Sequence, residues 1–174
     1  FDAVVQLRGG ACDGTALGCS DNTVGGGVES FTVYGLTPGN TYYVRLYDYG
    51  AGAGGTFSIC ISQPPANDLC SGAITVGCNS VTNGTTVGST SVDVPADCGD
   101  FAQGTAGGVW YMLPGWGGTA TATTCSAIGF DTQMGVYSGA CGAFSCIDGS
   151  DDATCSFSGS RSTVTFTTEV GTNY

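Results

Sequence analysis

The sequence predicts an all-β fold, an antiparallel β-sandwich or jelly-roll-like arrangement of repeats held by disulfide bonds. Short alternating runs of Val, Tyr and Phe stand between turns rich in Gly, which supplies 31 of the 174 residues. No segment has apolar residues at the helical period of 3.6. Ten cysteines in a chain with only 10% charged residues indicate an oxidising compartment, in which disulfides persist.

A stretch near the start of the chain recurs later. The segment "FDAVVQLRGGAC" at residues 1–12 is similar to "FDTQMGVYSGAC" at residues 130–141, 129 residues further on. The similarity extends to "GNTY", ending at Tyr42, and "GTNY", ending at Tyr174, which are 132 residues apart. Self-similarity of this kind indicates duplicated structural units.

The repeat predicts how the chain is divided. We expect residues 1–62 to be the back half of one β-sandwich repeat and residues 63–69 to be a Pro-rich linker. Residues 70–174 would form the front part of the next repeat without its final strands. Two interpretations are open: the chain is a piece of a longer array, or it is a subunit whose incomplete domain is completed by strands from a neighbour.

Period-two alternation marks nine expected strands. They are Phe31–Leu36, Tyr42–Tyr47, Phe57–Ser62, Ala73–Gly77, Thr85–Val94, Gly108–Leu113, Thr119–Cys125, Gly129–Tyr137 and Ser162–Val170. Within the second of these, the side chains expected to point to the core are Tyr42, Val44 and Leu46. On the opposite face a Tyr–Arg stripe is expected, formed by Tyr43, Arg45, Tyr47 and Tyr49.

Several segments resemble a known family. "FDTQMGVYSGAC", "STVTFTTEVGTNY" and "TPGNTYYVRLYDY" resemble the bacterial pre-peptidase C-terminal-type β-sandwich, and "PPANDLCSGAITVGC" and "GGVWYMLPG" resemble its variant in tandem arrays of large secreted bacterial proteins. "GLTPGNTYYVRL" is also similar to a fibronectin type III strand, although the cysteine pattern does not fit that family. The resemblance implies a non-catalytic module of secreted hydrolases, adhesins or surface proteins, some relatives of which hold calcium.

The repeat also predicts disulfide partners. Cys12–Cys19 and Cys141–Cys146 would close equivalent loops in the two copies, and Cys125–Cys155 and Cys78–Cys98 would pair the cysteines between them. For Cys60 and Cys70 two alternatives are open. They bond across the linker within one chain, or Cys60 of one copy bonds Cys70 of the next.

Composition argues against several functions. The chain has no His and no Lys, so neither a Ser-His-Asp site nor a lysine Schiff base can be assembled, and we expect no enzyme. The net charge of −11 disfavours nucleic-acid partners. No apolar run has the length of a membrane span, so we expect no membrane insertion.

Oxygen-rich loops are the candidate metal sites, with calcium as the one candidate cofactor. The residues are Asp148, Asp151 and Asp152 in the second copy, and Asp21 and Asn22 in the first. The alternative is that these side chains form Asx turns.

Candidate contact residues lie elsewhere. Trp116, in a Gly-rich loop, is a candidate contact for a glycan or a protein. The Tyr–Arg stripe is typical of interfaces, or else it is a solvated sheet face. Asn83 begins an Asn-Gly-Thr glycosylation pattern.

Together these features favour a structural role outside the cell. We expect a subunit or repeat of a secreted fibre or surface adhesin on bacteria, assembling head to tail with copies of itself. The alternative is a non-catalytic glycan- or protein-binding accessory module of a secreted hydrolase.

Overall fold

The chain forms two compact β-rich units, Phe1–Ile61 and Ser62–Tyr174. A computed structural model describes residues 1–50, 52–99, 106–125, 129–155 and 160–174. Within these ranges the elements are strands in small sheets, apart from one 3-10 turn at Cys70–Gly72. The expected all-β class is therefore confirmed.

Unit 1 is built on one antiparallel sheet of three strands: β1 (Ala3–Gly9), β2 (Ala16–Ser20) and β3 (Tyr42–Asp48). β1 lies in the middle and is hydrogen-bonded to both neighbours. Val4 and Leu7 are its buried apolar residues. Because so few side chains are buried, this sheet provides only a small core of its own.

The described part of unit 2 contains three two-stranded sheets. Its strands are β4 (Ile74–Thr75), β5 (Tyr111–Met112), β6 (Thr119–Thr123), β7 (Met134–Ala140), β8 (Ala143–Ser150) and β9 (Thr163–Thr167). β6 pairs with β9 and β7 with β8, both antiparallel, whereas β4 and β5 are parallel. The hydrophobic core of this unit consists of four buried side chains from β6, β7 and β9: Ala120, Val136, Val164 and Phe166.

Three expected strands, Phe31–Leu36, Phe57–Ser62 and Thr85–Val94, are absent from the described ladders. In the last of these, Thr90 is bonded to a side chain and to the backbone. Its N–H donates to the Asp68 carboxylate at 2.5 Å, and its carbonyl accepts from the Gly108 N–H at 3.3 Å. Conversely, β2 and β8 were not expected, because neither "ALGCS" nor "AFSCIDGS" alternates clearly between apolar and polar residues.

The expected linker, residues 63–69, is instead a packed part of unit 2. Asn67 and Asp68 are buried. The Asn67 amide donates to the Trp110 carbonyl at 2.9 Å, and the Trp110 N–H donates to the Asn67 carbonyl at 2.8 Å. Buried polar groups need such partners, and Asn67 and Asp68 find theirs in later segments of the same unit.

Unit 2 contains three disulfides, Cys70–Cys141, Cys98–Cys146 and Cys125–Cys155. Only the last was expected. The Cys141–Cys146 and Cys78–Cys98 predictions are wrong. Cys146 lies within β8 and Cys141 beyond the end of β7. A strand rises about 3.3 Å per residue and disulfides need Cα atoms within about 7 Å, so these two cysteines reach different partners.

The other cysteines are not bonded. Cys12, Cys19, Cys60 and Cys78 are exposed free thiols. The expected Cys12–Cys19 bond is therefore absent. Because Cys70 is bonded to Cys141, both alternatives that joined Cys60 to a Cys70 thiol are overturned.

Candidate functional site

The hairpins β1–β2 and β7–β8 have the same register. Val5 lies opposite Ser20 in the first hairpin, and Met134 lies opposite Ser150 in the second. Val5 and Met134 are equivalent positions of the duplicated stretch. The sequence similarity thus coincides with the same strand pairing.

Both hairpins also carry an irregularity at the same position. The register shifts between Leu7 and Arg8 in β1, and between Val136 and Tyr137 in β7. A β-bulge re-aims the side chains that come after it. Leu7 and Val136, just before the shift, are both buried.

A second feature shared by the units is a turn closed by tyrosine. The Thr37 N–H donates to the Tyr42 hydroxyl at 2.7 Å, and the Glu169 N–H donates to the Tyr174 hydroxyl at 3.0 Å. The turn glycine has the same left-handed φ of about +83°: Gly39 and Gly171. Only glycine adopts this conformation readily, which explains why it recurs in both turns.

After this turn the two units differ. In unit 1 the chain continues from Tyr42 into β3, which pairs with β1 along its whole length from Ala3 to Gly9. In the described part of unit 2, β7 is hydrogen-bonded to β8 alone. Among the described residues β7 thus has one strand neighbour, where its equivalent β1 has two.

The phenylalanine that opens each copy shows the same difference. The Phe1 ring lies 6.4 Å from the Phe57 ring, edge to face, and Phe1 is 38% exposed. Its equivalent, Phe130, is 58% exposed. The segment that carries Phe57 in unit 1 has no counterpart among the described residues of unit 2.

The Tyr–Arg stripe is exposed, with Tyr43, Arg45 and Tyr47 on β3 and Tyr49 just beyond its end. The Arg45 guanidinium lies 4.5 Å from the centre of the Tyr47 ring, a cation–π contact. However, Val44 on the opposite face is also 39% exposed. Val44 is therefore not part of a core in this unit, although Leu7, which lies opposite it on the same face, is buried.

Trp116 lies in a tight loop and is 42% exposed. Thr168, which is buried, anchors the loop by accepting from the Trp116 N–H at 3.3 Å and donating to the Gly118 carbonyl at 2.9 Å. The indole nitrogen lies 2.5 Å from where a Cβ on Gly118 would be. The loop therefore holds the indole in a fixed place while leaving part of it in water.

The acidic loop of unit 2 brings together Asp131, Asp151 and Asp152. Their nearest carboxylate oxygens lie within 4.8 Å of one another. Asp151 also accepts from the Gln133 amide at 3.3 Å. Asp148 is not in this group, and its carboxylate accepts from the Gly149 N–H at 2.8 Å. Asp131 was not expected here, because it is distant from the loop in sequence.

The equivalent loop of unit 1 is organised by Glu29 instead. Its carboxylate accepts from the Ser20 hydroxyl at 2.6 Å, the Thr23 hydroxyl at 2.5 Å and the Asn22 N–H at 2.9 Å. These bonds, led by that from Ser20, lower the pKa of Glu29 to about 2. Asp21 and Asn22 take part in no carboxylate cluster among the described residues. The calcium prediction for this pair is unsupported.

Asn83 is exposed, as a glycosylated residue would have to be. The described residues contain no helix with the length and apolar character to cross a bilayer.

The chain matches no family model, and neither the curated proteins nor the solved structures give a match.

Proposed function

We propose that the chain is a structural segment of a secreted, disulfide-stabilised fibre or surface adhesin, built of β-sandwich repeats and assembling head to tail. One observation carries the proposal. The same hairpin, with its register shift at the same position, and the same tyrosine-closed turn occur in both units. Two units of one design within one chain are expected of a protein built of repeats.

The exposed apolar surface of unit 1 supports this proposal. Phe57, Ile59 and Ile61 are all exposed in the segment after β3. Proteins that remain single seldom leave strand edges and apolar segments together in water. A contact between unlike ends of identical chains is heterologous, so it propagates into a filament.

A secreted location and a non-catalytic role fit the residue types. Three disulfides are typical of chains that fold in an oxidising compartment. The exposed thiols have no histidine anywhere in the sequence to act as a base. The bacterial cell surface is the location that the family resemblance implies.

Electron microscopy tests this function. The chain, folded under oxidising conditions, should form filaments of constant width with a regular axial repeat. Particles of a single chain, at every concentration that permits imaging, would refute the proposal.

Trp116 supports a second candidate, a non-catalytic glycan- or protein-binding accessory module. A fixed and partly exposed indole is suited to stacking on a sugar ring. Binding of polysaccharides to the wild-type chain, lost in Trp116→Ala and retained in Tyr49→Ala, would favour this function. Absence of binding to the wild-type chain would leave the structural role alone.

A further inference from the structure

We propose that one face of the unit 1 sheet binds a carboxylate-rich surface on unit 2 of a second copy of this chain. The face is formed by Gln6, Arg8, Tyr43, Arg45 and Tyr47, and we call it the cationic face. This inference rests on the proposed function and names the two surfaces that would join one copy to the next.

Strand register places these side chains together. Gln6 lies opposite Arg45, and Arg8 lies opposite Tyr43, across the β1–β3 pair. Because side chains alternate between the two faces of a sheet, both pairs share one face. The Arg8 Nε donates to the Gln6 Oε1 at 2.9 Å, so these two side chains are in contact. Two guanidinium groups therefore lie in neighbouring rows of the same sheet.

Both guanidinium groups are held in place by uncharged neighbours. Arg8 Nη1 donates to the Gly14 carbonyl at 2.9 Å, and the Arg45 guanidinium lies 4.5 Å from the centre of the Tyr47 ring. Neither contact neutralises the positive charge, because the carbonyl and the ring face carry no formal charge. A cation that is already positioned loses less conformational entropy when it binds a partner.

The charge of this face is opposite to that of the chain as a whole. The sequence contains three arginines, no lysine and fourteen Asp and Glu residues, with a net charge of −11. Two of the three arginines lie on the cationic face. The third, Arg161, is buried, and its Nη1 donates to the Phe130 carbonyl at 2.5 Å. The arginines that a partner can reach are thus concentrated on unit 1.

Unit 2 carries the complementary charge. The nearest carboxylate oxygens of Asp131, Asp151 and Asp152 lie within 4.8 Å of one another, and Asp131 and Asp152 are exposed. Like charges at this distance repel each other, and a cation placed beside them relieves the repulsion. A guanidinium group offers five N–H donors in a planar fork that matches carboxylates, and Tyr and Arg are enriched among the residues that dominate interfaces.

Charge also selects the direction of assembly. Two cationic faces placed together would bring arginines against arginines, and two acidic clusters would bring carboxylates against carboxylates, so both symmetric contacts are disfavoured. The contact between unlike surfaces is heterologous and leaves one surface of each kind available on every pair of copies. It therefore repeats from copy to copy in a head-to-tail series.

Charge reversal tests the contact. In sedimentation velocity of the oxidised full chain, Arg45→Glu and Asp152→Arg should each weaken association at least about tenfold, since each places like charges opposite one another. Val81→Glu and Asp13→Arg are the matched controls, because both residues are exposed and lie outside the two surfaces. Each control should change association less than about twofold.

Mixing the two reversed variants is the sharper measurement. Where the Arg45→Glu face meets the Asp152→Arg cluster, opposite charges face each other again. The mixture should therefore recover the association that neither variant shows alone. Association of the wild-type chain should weaken as salt rises from about 0.05 M to about 0.5 M, because the charges are exposed. A chelator should leave it unchanged.

Three results would overturn this contact. They are unchanged association of Arg45→Glu, no recovery in the mixture, and loss of wild-type association in a chelator, which would place a metal ion among the carboxylates in place of a guanidinium group. If oligomers form in every variant alike, the contact is wrong while the proposed function stands. A wild-type chain that stays single at every concentration would refute both.

Discussion

The Tyr174 hydroxyl accepts a hydrogen bond from the Glu169 N–H at 3.0 Å and so closes the turn at the end of unit 2. Tyr42 and Thr37 make the same contact in unit 1, so the two units close this turn in the same way. It sets the position from which the chain enters β3 in unit 1.

Replacing Tyr174 with Phe should lower the free energy of unfolding by about 1 kcal/mol, the contribution of one hydrogen bond. The ring contact with Phe166, at 5.4 Å between centroids, would remain. Chemical denaturation measures the change. Tyr49→Phe is the control, because Tyr49 is 68% exposed and its substitution should change stability little. Equal losses in both variants would contradict a role for the turn.

The disulfides should be found as Cys70–Cys141, Cys98–Cys146 and Cys125–Cys155 when the oxidised chain is digested without reductant. Removing Cys70–Cys141, which closes the longest loop, with a double alanine variant should cost about 2–5 kcal/mol. The smaller loop of Cys125–Cys155 should cost less. A peptide joining Cys141 to Cys146 would contradict the structure.

The loop of Glu29 should depend on pH. Its pKa is about 2 in the folded chain and lies near 4.5 without the loop, so the folded state binds its proton less readily. The stabilisation is then fully present above pH 4.5 and is lost as the pH falls towards 2. An NMR titration should find the carboxyl pKa near 2, and Glu29→Gln should remove this part of the acid dependence. A pKa near 4.5 would show that the loop is not formed.

Asp93 joins two segments of unit 2, because its carboxylate accepts from the Cys70 N–H at 2.6 Å and from the Trp110 indole N–H at 3.0 Å. Asp93→Ala should destabilise the chain by about 2–3 kcal/mol, since it leaves both donors unpaired. Asp13→Ala, in an exposed loop, is the control. A thermal unfolding series measures the difference, and equal midpoints for the two variants would exclude this role.

The sequence predicts the all-β class well, because Gly-bounded alternation is a local signal, and its self-similarity is a local signal too. Neither alternation nor self-similarity shows which cysteines the hairpin cysteines bond. Cys141 and Cys146 are close in sequence, but strand geometry directs each to a cysteine far earlier in the chain. The number of cysteines indicates disulfides, and only the fold decides their partners.

The candidate sites were predictable only where a local signal in the sequence places their residues. The exposed Tyr–Arg stripe arises from period-two alternation, which any strand obeys. Asp131 joins Asp151 and Asp152 only because the chain folds back, and Glu29 satisfies the unit 1 loop from several residues away. The boundary at Pro64 and Pro65 was expected from composition, but Asn67 is fixed by a partner, Trp110, that composition does not reveal.

Sedimentation velocity of the oxidised full chain over a wide range of concentrations tests the central claim, that copies of this chain assemble head to tail, most directly. The account predicts a sedimentation coefficient that rises with concentration through a series of head-to-tail oligomers, without stopping at a dimer. A single folded species with the mass of one chain at every concentration would contradict it.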